Sequence, residues 1–173
     1  MELERNNIIL AAVDANGEPD FLEPGEPAIN NIPGVYEGIR YWTVNDVPSL
    51  FDNIGSAPKD ASSFTLPGGV WIGMNCFPAH SAGRLDVKAA TGDHAKDLDI
   101  GGDGDPSMHR SNSIDFEYII SGKVDFELPG GKVRTLVPGD ILIVAGVEHA
   151  WKNHYDEPCK YLAVCVGAKP PKK

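Results

Sequence analysis

Residues 108–122, MHRSNSIDFEYIISG, and residues 139–153, GDILIVAGVEHAWKN, decide the reading of this chain. Each sets one histidine at the edge of a strand-like apolar run, His109 in the first and His149 in the second, and glycines mark where the runs turn. In the first stretch Ile114, Phe116, Tyr118 and Ile120 share one face of an extended strand. Asp115, Glu117 and Ile119 share the other, because side chains alternate along β backbone. If that second face meets water, two carboxylates one pleat apart are an ordinary wet surface. If it points inward, unpaired charge is expensive there. Two distant hairpins that converge inside a closed β scaffold would gather His109, His149, Asp115 and Glu117 in one pocket.

Outward from these stretches the pattern stays β. Ile114–Ser121, Lys123–Leu128, Lys132–Leu136, Asp140–Val144 and Lys160–Val166 read as five strands, broken at Gly122, Pro129-Gly130-Gly131, Pro138-Gly139 and Asp156-Glu157-Pro158. Short strands with turn signals at close spacing point to an all-β sandwich or barrel. Tyr36–Val44 and Val70–Phe77 read as two more strands. Ile8–Val13, Asn16-Gly17 and Asp20–Leu22 read as a hairpin, since Asn-Gly supplies the positive φ angles of a tight turn. Residues 80–107 form a long polar connection with room for a short helix between Arg84 and Ala95. The acidic run at 97–105 lacks the ligand order of a calcium loop and reads as a solvated loop. The expected division is an extension of short strands over 1–66 packing on a barrel, the barrel domain over 67–168, and a basic tail over 169–173.

Composition narrows the class of function. The 173 residues are 42% hydrophobic, with 19 glycines, 14 prolines and a formal charge of −10. This suits one globular domain rich in turns, and the charge argues against nucleic acid as a partner. No run approaches a membrane span. Three cysteines without CxxC spacing read as thiols in a reducing compartment, so a cytoplasmic location is expected.

The two stretches resemble the signature motifs of the cupin superfamily, small jelly-roll β-barrels whose motifs run HxH…E…G and PxG…H…N. His109, Ser111, Asp115 and Gly122 occupy the first; Gly139, Val144, Gly146, His149 and Asn153 occupy the second. The run is similar to a subgroup of stand-alone cupins with HR(T/S)xS(L/I)D and HAWxN motifs, found in bacteria and in fungal polyketide pathways. The resemblance implies one divalent metal, iron, manganese or zinc, on His109, His149 and a carboxylate, Asp115 by position or Glu117 by reach. Ser111 stands where a second histidine ligand is usual and Asp115 where glutamate is usual, so a metal-free site is equally an expectation.

Three functions follow. The first is a metal-dependent oxidoreductase or dioxygenase acting on a small aromatic or polyketide-like metabolite, since two histidines and a carboxylate leave positions open for oxygen or substrate. The second is a metal-independent dehydratase, isomerase or cyclase, in which His109, His149, Glu117 and Asp115 move protons. The third is a non-catalytic small-molecule-binding module. His80, His94 and His154 read as loop residues, and Trp151, Phe116, Tyr118 and Tyr161 as packing. Should the Ile114 face be the outer one, its apolar surface favours a homodimer.

Overall fold

The computed structural model describes residues 3–6, 8, 10–13, 19–49, 53–61, 64–93, 98–101 and 104–170. Thirteen strands and one helix are assigned among them: β1 (Leu10–Val13), β2 (Pro19–Leu22), β3 (Ala28–Ile32), β4 (Tyr36–Val44), β5 (Val70–Phe77), α1 (Val87–Thr91), β6 (Leu98–Ile100), β7 (His109–Ser111), β8 (Ser113–Ser121), β9 (Val124–Leu128), β10 (Lys132–Leu136), β11 (Ile141–Ala145), β12 (Ala150–Lys152) and β13 (Cys159–Gly167). The chain is the all-β jelly roll that the motifs implied.

Six antiparallel strands in the order β11-β8-β13-β5-β4-β3 form the larger sheet. Three smaller sheets carry β10-β9-β12, β6-β7 and β1-β2. A reciprocal bridge between His109 and His149 ties β7 to the residue just before β12. The two-stranded sheet β6-β7 and the three-stranded sheet β12-β9-β10 thereby become one continuous wall opposite the larger sheet. Between the walls lies a single core in which Ile119, Trp71, Phe77 and Tyr161 meet Val124, Phe126, Leu136 and Trp151. The ring planes of Trp151 and Tyr161 stack with centroids 4.9 Å apart.

Alternation in β8 settles which face is which. Glu117 and Ile119 are buried, whereas Ile114, Phe116, Tyr118 and Ile120 are exposed. The carboxylate face therefore points inward and the apolar face outward. On the outer face the β4–β5 end is covered by the leading segment, where Leu3 and Ile8 pack on Ile39, Tyr41 and Met74. Among the described residues the β11–β8 end carries no such cover.

Asn153, fully buried, clamps the chain after β12. Its Nδ2 donates to the carbonyls of Phe77 and Glu157, each at 2.9 Å, and its Oδ1 accepts from the Tyr155 amide at 2.9 Å. The motif asparagine thus satisfies main-chain groups that would otherwise be orphaned in the interior.

Several expectations are corrected in detail. The stretch at 80–107 holds the short helix expected between Arg84 and Ala95, α1, capped by Asp86 accepting from the Ala89 amide, but also a strand, β6, that was not expected. The acidic run is only partly solvated, because Asp99 pairs with Arg110, and Asp105 with Lys152. Strands β3, β6, β7 and β12 lack a clear alternating signal in the sequence; β3 pairs with β4, β6 with β7, and β12 with β9. β1 pairs with β2 as the expected hairpin, while its turn at Asn16-Gly17, His94 and residues 171–173 of the tail lie outside the described residues. β3 and β4, from the leading segment, are paired into the same sheet as β5, so residues 1–66 contribute strands to the barrel itself. Among the described residues no helix is long and apolar enough to cross a membrane, and no disulfide joins the three buried cysteines.

Candidate active site

One register row crosses the inner face of the larger sheet: Leu142, Glu117, Ala163, Gly73 and Arg40, on β11, β8, β13, β5 and β4 in turn. The inner face borders a cavity of about 120 Å³, whose lining includes Arg40, Asp115, Glu117, His109 and His149. Aromatic side chains, among them Trp71, Phe77, Trp151 and Tyr161, wall it, and Leu85, Val87 and Ala90 around α1 lie at its edge. A larger hollow of about 280 Å³, between Thr65–Pro67, Asp99 and Arg110, contains none of the four predicted acid and imidazole groups.

The structure brings together all four predicted residues. The rings of His109 and His149 lie with centroids 4.5 Å apart. Each ring turns its Nδ1 to a main-chain carbonyl two residues earlier, His109 to Ser107 and His149 to Val147, both at 2.9 Å. A carbonyl oxygen only accepts, so in each neutral ring Nδ1 carries the proton and Nε2 holds the lone pair. Burial pulls the His109 ring below the usual imidazole range. Burial and the neighbouring His109 push His149 down to about 3, so both rings are neutral near pH 7.

The carboxyls shift the other way. Burial, then the adjacent Asp115, raise Glu117 well above the usual carboxylate range, against the pull of Arg40. Burial also raises Asp115, although Cys165 and Ser113 hydrogen-bond to it and Arg40 and His109 lie near. Asp115 Oδ1 and Glu117 Oε2 are buried with no hydrogen-bond partner. Orphaned polar atoms are rare in a folded interior and need a reason.

Ser111 does not stand in for the missing histidine. It is buried, and its Oγ is 2.5 Å from Ser113 Oγ. Among the described residues no three of His, Cys, Asp and Glu are placed to hold one ion. The donor types of a two-histidine, one-carboxylate site are present, but their placement does not close around a metal.

Sequence reasoning missed one half of the cavity. Arg40, Tyr36, Asn75 and Trp71 come from β4 and β5, which were read as strands without an assigned face. A lone arginine inside YEGIRYWTV was the available signal. Trp151 and Tyr161, expected as packing, are buried in the core and also border the cavity. His80 is exposed and paired with Asp156 at 3.0 Å, and His154 is exposed, as their loop assignment required.

Residues 97–165 match the family model described as the cupin domain. The chain is 31% identical over 67 residues to oryzines biosynthesis cluster protein J of Aspergillus oryzae, covering 38% of this chain and 37% of that protein. It is 36% identical over 56 residues to phomopsin biosynthesis cluster protein C′ of Diaporthe leptostromiformis, covering 32% of this chain and 30% of the relative. A longer match, 25% identical over 152 residues, joins 80% of this chain to 78% of the cupin-domain-containing oxidoreductase srdB of Neurospora crassa. Among solved structures, an RmlC-like cupin from Shewanella frigidimarina is 12% identical with a TM-score of 0.45, covering 83% of this chain and 86% of that one.

Proposed function

Residues 97–165 form a cupin domain, and from that premise we propose a small-molecule enzyme that moves protons inside the barrel, as a dehydratase, isomerase or cyclase does. One observation carries the reading: Asp115 Oδ1 and Glu117 Oε2 are buried at the cavity without partners, across from two imidazoles whose Nε2 is the basic nitrogen. An acid and a base whose environments push their pKa values apart make a proton-transfer pair. In an elimination of water, a histidine Nε2 would take a proton from substrate carbon, and Glu117 would return one to the departing hydroxyl. Aromatic walls suit a small aromatic or polyketide-like metabolite, a class in keeping with relatives from fungal biosynthesis clusters. The three cysteines, in no disulfide, suit a cytoplasmic enzyme.

The test is deuterium uptake from D2O into candidate metabolites, with a chelator present. Uptake that His149→Ala abolishes, with product formation lost in Glu117→Gln, supports the reading; turnover that depends wholly on added metal sinks it.

A metal-dependent oxidoreductase is the second reading, favoured by the two Nδ1–H groups held on main-chain carbonyls, an arrangement that also orients metal-ligating histidines. The relatives named as cupin-domain-containing oxidoreductases agree with it. Stoichiometric iron, manganese or zinc in untagged protein, lost in His149→Ala, would establish it. A ligand returned unchanged after long incubation would instead mark a binding module.

The reading also includes a second copy of the chain. Ile141 and Ile143, 71% and 58% exposed, lie beside Tyr118 and Phe116 on the uncovered end of the outer face. A homodimer would take this apolar surface out of water.

A further inference from the structure

Among the described residues Arg40 is the one strongly basic side chain at the cavity, and its surroundings are unusual. Its residue is only 7% exposed. The guanidinium carbon sits 3.1 Å from the centroid of the Trp71 ring. Tyr36, whose hydroxyl donates to Asn75 Oδ1 at 2.6 Å, borders the same cavity. The Nε of Arg40 is buried with no hydrogen-bond partner. Among the described residues no carboxylate lies within ion-pair distance of it. Glu117 shares its register row across Ala163 and Gly73, three strand spacings or about 14 Å of backbone away.

A buried guanidinium without an anion is costly, and stacking on an indole offsets only part of that cost. A carboxylate matches the vacant edge, because Nε and a terminal nitrogen present two parallel N–H donors that a planar carboxylate accepts together. Lysine at this place would offer a point charge instead. Trp71 beneath the guanidinium and Phe77, Trp151 and Tyr161 along the cavity provide flat apolar walls for what lies behind the carboxylate.

We propose that Arg40 anchors the substrate, and that the substrate is a small organic carboxylate with a planar, largely apolar body. This deepens the proton-transfer reading and rests on the same cavity. The anchored end sits at β4 and β5, and the body extends toward Glu117 and the two imidazoles. Arg40 therefore sets specificity and orientation, while the groups on β7, β8 and the residue before β12 face the reacting atoms.

The test reads equilibrium binding rather than turnover, so it is separate from the deuterium experiment. Benzoate and benzamide, alike in shape and different in charge, are titrated against the whole chain by calorimetry and by thermal shift with a chelator present. Benzoate is expected to bind about ten- to a hundredfold more tightly, the range for hydrogen bonds to a charged group. Arg40→Met is expected to bring benzoate down to the level of benzamide, and Arg40→Lys to keep part of the difference. Equal binding of the two probes, no benzoate binding by the folded protein, or full benzoate binding in folded Arg40→Met would each overturn the proposal. Should Arg40→Met fail to fold, the two probes on the unaltered chain still decide. Benzoate binding that survives while deuterium uptake is never found would retain the anchor and reject the proton chemistry.

Discussion

His109 and His149 hold each other through the main chain: the amide of each donates to the carbonyl of the other at 2.9 Å. This reciprocal bridge joins β7 to the β12 region and sets the two rings side by side. Their position is thus fixed by backbone, and their chemistry by side chains that the bridge does not need.

Side-chain removal at His149 should accordingly separate fold from function. His149→Ala keeps the bridge but loses the stack on Phe126, whose ring centroid is 5.0 Å away. A stability loss of about 1–2 kcal/mol is expected, short of unfolding. Turnover should fall by about a hundredfold or more if the Nε2 lone pair accepts the proton. Unfolding curves and rates measured on the same preparation check both; an unchanged rate would remove His149 from the mechanism.

Glu117 provides a pH signature. Its folded pKa lies above the unfolded value of 4.5, so the folded state retains a proton that the unfolded chain gives up. Its contribution to stability is fully present below about pH 4.5 and is lost as pH rises through the folded pKa. Glu117→Gln mimics the protonated group and cannot titrate. The melting temperature of Glu117→Gln relative to wild type should therefore climb between pH 4.5 and neutrality, by about 2–4 °C for each kcal/mol at this chain length. A difference that stays flat over that window would show an ionised Glu117 in the folded protein.

The fold was legible where local pattern and tertiary demand agree. β4, β5 and β10 were read to the residue, and β8, β9, β11 and β13 to within about one residue at an end, because apolar runs closed by turn glycines and prolines set them off. The site was legible through two histidines and two acids close to recognisable turns. The three-residue strands β6 and β12 are too short to stand out from loop sequence, and β3, AINNI, mixes polar and apolar residues without a strand-like run. Arg40 was hidden for another reason. Which face of β4 looks inward depends on its pairing with β5 and on the shift in register between Arg40 and Trp42, neither of which is written in the strand itself.

Two glycines with similar backbone angles should respond differently to a methyl group. Gly146 has φ 61° and Gly122 φ 73°, both in the left-handed region. A Cβ at Gly146 would meet nothing closer than 3.8 Å, so Gly146→Ala should cost about 1–2 kcal/mol from backbone strain alone. A Cβ at Gly122 would lie 2.1 Å from the carbonyl oxygen of Pro158. That atom belongs to the turn leading into β13 and cannot rotate aside like the end of a side chain. Gly122→Ala should be the worse by about 2 kcal/mol or more. Chemical denaturation of the two variants checks the order, and equal midpoints would contradict the turn geometry.

The outer face supplies the last prediction. Ile143 pairs with Phe116, and Ile141 with Tyr118, across the β11–β8 edge of the larger sheet, and all four are exposed. The same sheet is covered by Leu3 and Ile8 at its opposite end, so the leading segment protects one half of the face and leaves the other. A stable protein interface takes about 800 Å² from each partner, and the exposed apolar side chains of β11 and β8 would lie at the middle of such a contact. Ile143→Lys together with Phe116→Lys puts two like charges face to face at the centre of that contact, while neither side chain reaches the core. Light scattering at micromolar concentration should give a dimer for the native sequence and a monomer for the double variant, with turnover at the cavity retained. A native chain that scatters as a monomer would show that this surface meets water or another partner. A double variant that remains dimeric would move the contact elsewhere on the barrel.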